Sequence, residues 1–148
     1  MKRIILSSIL LWICSLSYGQ LLEPVKWSYA AKKVGKNEAV LFIKADIDAG
    51  WHLYSQHIAD GGPVKTTFSF EPSKQYELVD KTAEPKPIKK HEEVFGMEVA
   101  YFEKQVVFQQ KIKLKAGQTV VKGTVEYMVC DDQQCLPPDE KTFAITVK

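Results

Sequence analysis

The sequence predicts an all-β domain, an immunoglobulin-like antiparallel β-sandwich. Three observations predict it. Apolar residues recur with period two, short runs of this kind are parted by turn-forming residues, and no stretch keeps a helical period over three turns.

The elements follow in order along the chain. Trp27 and Tyr29 open a first strand, and Gly35-Lys36-Asn37 turns it. Leu41, Ile43, Ala45 and Ile47 alternate along a second, which Ala49-Gly50 ends. Val64, Thr66, Phe68 and Phe70 form another, set between Asp60-Gly61-Gly62-Pro63 and Glu71-Pro72-Ser73. The charged, proline-bearing stretch from Glu84 to Glu93 reads as a stiffened loop leading to Val94-Phe95-Gly96. From Phe102 to Leu114 the even positions read Phe102, Lys104, Val106, Phe108, Gln110, Ile112 and Leu114, and the odd positions are mostly polar, which predicts one half-buried strand. After Ala116-Gly117, the face of Val121, Gly123, Val125, Tyr127 and Val129 holds no charge and is the core candidate. Cys130, on the alternate face, is then expected to point away from the main core at the strand end. Phe143, Ile145 and Val147 make a last strand.

The amino terminus predicts export. Lys2 and Arg3 precede an apolar run from Ile4 to Leu16, and Ser17-Tyr18-Gly19 offers small residues for cleavage before Gln20. The run is too short for a membrane span. Residues 1–19 are therefore expected to be a cleaved signal peptide and 20–148 one soluble domain, since about 130 residues suit a single core. Loss of Lys2 and Arg3 leaves the bases level with the 18 acids. That near-neutral balance excludes nucleic acid or an anionic membrane as the main partner.

Cys14 falls in the leader, so the mature chain holds one pair, Cys130 and Cys135, in the run Cys130-Asp131-Asp132-Gln133-Gln134-Cys135-Leu136-Pro137-Pro138. An exported domain keeps disulfides. A structural bridge is one reading. Closing so short a ring, however, stabilises by only roughly 2 kcal/mol, and a staple between two sheets spans many more residues. The other reading is exchange, in which a thiolate attacks one sulfur and the second resolves the mixed disulfide. Asp131 and Asp132 either disfavour a free thiolate nearby or serve as plain turn residues. His52, His57 and His91 are scattered and lack the paired spacing of a zinc site, so no metal or other cofactor is expected. No phosphate loop or nucleophile elbow occurs.

Three stretches resemble the N-terminal periplasmic domain of the thiol:disulfide interchange protein DsbD. They are the cysteine run with Leu136-Pro137-Pro138, the aromatic strand Gly50-Trp51-His52-Leu53-Tyr54, and the acidic and aromatic loop Glu92-Glu93-Val94-Phe95-Gly96. They occur in order across nearly the whole mature chain. The resemblance implies an immunoglobulin-like fold in the periplasm and a Cys130/Cys135 pair that cycles between disulfide and dithiol. It makes Cys135 the site of partner attack, makes Phe95 (or Val94) a cap over the disulfide, and packs Tyr54 and His52 beneath. It implies thioredoxin-like redox proteins as donor and acceptor, with disulfide isomerases and cytochrome c maturation among the family's recipients. The family's membrane-embedded and thioredoxin-like domains are absent from this chain, so a stand-alone module with a separate membrane electron donor is expected. Many members carry one more residue between the cysteines, and His52 stands where an aromatic residue is often found. A non-catalytic interaction domain with a structural disulfide is the alternative.

Overall fold

The structure, a computed structural model, describes residues 22–148. The expected signal peptide and Cys14 lie outside the described residues. Among the described residues eleven strands follow one another: β1 Val25–Gly35, β2 Glu38–Ile47, β3 His52–Tyr54, β4 Thr67–Phe70, β5 Tyr76–Ala83, β6 Ile88–Glu92, β7 Met97–Phe102, β8 Gln105–Leu114, β9 Thr119–Tyr127, β10 Val129–Cys130 and β11 Asp139–Val147. All named pairings are antiparallel. The sandwich is of the predicted immunoglobulin-like class.

One sheet has the order β1-β2-β8-β5 and faces a second of order β11-β9-β4. The alternation read from the sequence sets their inner faces. Leu41, Ile43 and Ala45 of β2, Val106, Phe108 and Ile112 of β8, Val121 and Val125 of β9, and Ile145 of β11 share one buried cluster. Trp27 of β1 bridges the layers, its ring 6.3 Å from Phe108 and 5.2 Å from Tyr127 between centroids. Burial of such side chains is the main force holding the two layers together.

A third sheet, β10-β3-β7-β6, flanks the sandwich and carries the cysteine end of the molecule. It corrects two expectations. The stretch read as a stiffened loop contains strand β6, whose residues pair with β7 from Ile88↔Tyr101 to Glu92↔Met97. Its side chains are mostly exposed on both faces, so no alternation marks it. The strand expected from Phe102 to Leu114 is divided, because Lys104 takes a left-handed φ of 64° and its carbonyl accepts the Ile47 N–H. Phe102 thus closes β7, and β8 starts at Gln105.

The chain changes sheet at Met128. β9 pairs with β11 and β4, and β10 pairs with β3, in the register Val129↔Leu53 and Cys130↔His52. The alternation survives the change. Tyr127 and Val129 lie in the main core, and Cys130 joins a separate small cluster with Tyr54, Val99 and Tyr101. Cys130 therefore does point away from the main core, but into a second apolar nest.

Candidate functional site

β3 is built to present two rings on one face. Gly50, at φ 86°, makes the turn after β2, a conformation that suits glycine, and Trp51 N–H caps it on the Asp48 carbonyl at 3.1 Å. Trp51 and Leu53 then enter the main core. Period two places His52 and Tyr54 on the opposite face, beside Cys130. Beyond Tyr54 the chain is clamped. The Glu84 carboxylate accepts from the Ser55 hydroxyl and from Gln56 N–H at 2.9 Å, and Thr66 Oγ1 donates to the Tyr54 carbonyl at 2.5 Å.

The cysteine loop is a tight turn. Asp131 Oδ1 accepts the N–H groups of Gln133 at 2.8 Å and Gln134 at 2.7 Å. These two backbone donors hold the Asp131 carboxyl below its ordinary range. Asp131 N–H returns to the Gln134 carbonyl at 2.8 Å, and Leu136 N–H to that of Val129 at 3.0 Å. The Cα atoms of Cys130 and Cys135 stand 4.0 Å apart and their sulfurs are bonded. Cys130 is 2% exposed, whereas Cys135 lies at the surface.

Tyr54 is the hub. Its hydroxyl lies 3.2 Å from Cys130 Sγ, 3.0 Å from Glu92 Oε2 and 3.2 Å from His52 Nε2. One proton serves two acceptors, so the hydroxyl donates to sulfur or to carboxylate at any moment. Burial, reinforced by the Glu92 charge and hydrogen bond, pushes the phenol well above its ordinary range. His52 Nε2 also lies 3.3 Å from Glu92 Oε1. Burial lowers the His52 pKa, against the opposing pull of Glu92.

The β6–β7 hairpin closes over this group through Glu93-Val94-Phe95-Gly96. Phe95 N–H donates to the Glu92 carbonyl at 3.2 Å, and Gly96 leaves the turn at φ 63°. Phe95 packs on the Tyr54 and Cys130 cluster, edge-on to the Tyr54 ring at 6.2 Å between centroids. Val94 is 87% exposed.

The six residues singled out from the sequence thus converge. His52, Val94, Phe95, Cys130 and Cys135 line one open cleft of about 850 Å³, with Tyr54 buried beside Cys130. Two contributors were not foreseen. Glu92 belongs to the acidic and aromatic loop motif, where its spacing points to no partner, and the Tyr101 ring packs tilted against His52 at 4.8 Å between centroids. Their sequence distance from β3 hides both contacts. Of the other histidines, His91 lines the cleft and His57 stays exposed near Glu84. Among the described residues no three of His, Cys, Asp and Glu cluster so as to hold a metal ion.

Residues 20–147 match the family described as the N-terminal domain of the thiol:disulfide interchange protein DsbD. Curated proteins show no match. Among solved structures, the reduced DsbD N-terminal domain of Neisseria meningitidis is 18% identical, with 86% of this chain and 90% of that one covered and a TM-score of 0.60. The complex of the DsbD and PilB N-terminal domains from the same organism gives 17% identity, coverages of 84% and 87%, and a TM-score of 0.55. The N-terminal periplasmic domain of ScsB from Proteus mirabilis gives 18% identity, 87% of this chain, 49% of that one, and a TM-score of 0.59. At these identities the structural likenesses speak for the fold.

Proposed function

The chain belongs to the DsbD N-terminal domain family, and from that premise we propose that it is an exported, periplasmic thiol–disulfide exchange module. It relays reducing equivalents between thioredoxin-like proteins through Cys130 and Cys135. The observation that carries this reading is the asymmetric disulfide: both cysteines line one open cleft, but Cys130 is buried beside a phenol and Cys135 is exposed. An attacking thiolate reaches the Cys135 side, and the bond breaks toward Cys130. Phe95, held on a turn that ends in a left-handed glycine, covers the buried side and swings aside when a partner docks. The complex of a DsbD N-terminal domain with a PilB N-terminal domain supports a protein domain as the partner.

The test is the reduction potential, set by equilibration with glutathione and thioredoxin buffers. An exchange role places it within their reach. A value below about −300 mV, where structural disulfides sit, together with no mixed disulfide in either single-cysteine variant, replaces this reading with the interaction domain.

A further inference from the structure

We propose that His52 is the positioning residue that supplies, through the Tyr54 hydroxyl, the proton taken up by Cys130 when its bond to Cys135 opens. The inference rests on the exchange reading above.

The need arises from burial. Cys130 is 2% exposed in a nest with Tyr54, Val99 and Tyr101. A thiolate left there loses its hydration, so opening the bond calls for a proton at that sulfur. Among the described residues, the hydrogen bond that Cys130 Sγ receives comes from Tyr54, at 3.2 Å. Tyr54 cannot give its proton up for good, because burial and Glu92 disfavour the phenolate. His52 Nε2, 3.2 Å behind the Tyr54 oxygen, is placed to restore it. Its ring also lines the open cleft, where water can reload it. Histidine is the side chain whose proton exchanges near neutral pH.

The step balances. A thiolate of a thioredoxin-like dithiol bonds to Cys135 Sγ, and the Cys130–Cys135 bond breaks with its electron pair on Cys130 Sγ. The Tyr54 hydroxyl proton moves to that sulfur, and the His52 imidazolium proton moves to the Tyr54 oxygen. The partner sulfur is oxidised to a mixed disulfide, Cys130 is reduced to a thiol, and His52 ends neutral. Glu92 pairs with both His52 and Tyr54, and its charge favours the imidazolium. The other charges facing His52 are Lys90 on β6, Glu103 after β7, and Asp131 and Asp132 in the cysteine loop. The Tyr101 ring lies against it.

The experiment is stopped-flow reduction of the disulfide by dithiothreitol, from about pH 4.5 to pH 8, across the range where histidine titrates. Rates are divided by the concentration of dithiothreitol thiolate and compared with H52F, which keeps a ring against Tyr101, and H52Q, which keeps a hydrogen bond without titrating. The wild-type constant is expected to fall about tenfold as pH rises through an inflection, placed below the ordinary 6.5. Both variants are expected to give flat profiles, and E92Q moves the inflection to lower pH. A flat wild-type profile, or an inflection that persists in both His52 variants, overturns the proposal. If thioredoxin still opens the pair, the exchange reading stands without it; a pair that no thiol opens overturns both.

Discussion

Cys130 and Cys135 share one bond but not one environment. Cys130 is sealed in a nest of two tyrosines and a valine, and Cys135, on the other side of a four-residue turn, meets solvent. In the proposed exchange this difference makes the pair directional: one sulfur is offered for attack and the other is kept to leave and to resolve.

That directionality is testable with single cysteines. C130S leaves the exposed thiol and should form a mixed disulfide with oxidised glutathione at least about tenfold faster than C135S, which leaves the buried one. Mass spectrometry of quenched reactions follows both. Equal rates, or the reverse order, remove the directionality.

In the proposed reading Phe95 is the cover and Val94 a bystander. Phe95 rests on the cluster holding Cys130, whereas Val94 is 87% exposed. F95A should accelerate reduction by dithiothreitol severalfold, and V94A should leave it unchanged. Stopped-flow tryptophan fluorescence reads the rates; a faster V94A with an unchanged F95A transfers the cover to Val94.

The burial of His52 predicts a pH dependence of stability. Burial holds its pKa below the ordinary 6.5, with Glu92 pulling the other way. As pH falls past the ordinary value, the unfolded chain binds this proton before the folded chain does, so stability present above that pH is lost down to the folded pKa. The melting temperature should therefore decline across that window in the wild type and decline less in H52F. Thermal melts at matched ionic strength check it, and a steeper decline in H52F contradicts it.

Gly123 predicts a packing failure. A Cβ there would meet the Ser69 carbonyl oxygen at 2.2 Å and Phe143 Cζ at 2.6 Å. One of these is backbone of the paired strand β4, which cannot swing away. G123A should cost about 3 kcal/mol, read as a lower urea midpoint at unchanged slope. Wild-type stability in G123A would mean that β4 shifts freely.

The strands that were legible from the sequence are those with one wet face and one dry face, such as Leu41 to Ile47 and Phe143 to Val147. Their period is a direct imprint of the sandwich. β5 and β6 escaped because exposure on both faces erases the alternation, as at Lys89, Lys90 and His91. Lys104 was hidden for another reason: Phe102 on one side and Val106 and Phe108 on the other keep the same parity, so the left-handed residue between them breaks the strand while the period resumes in step. At the site, the sulfur pair and its aromatic neighbours were visible as motifs. The meeting of His52, Tyr54 and Glu92 was not, because a register that brings residue 92 to residue 54 is written in no local spacing.

The crossing at Met128 has a consequence for how the chain can change. A single ribbon is rooted among Val121, Val125 and Tyr127 and reaches outward to Cys130, so the parity of residues between them decides which side receives the sulfur. One added residue in that interval would turn the thiol inward among the aliphatics and push a valine out toward the cleft. An insertion beyond Cys130, within the turn, leaves that parity untouched.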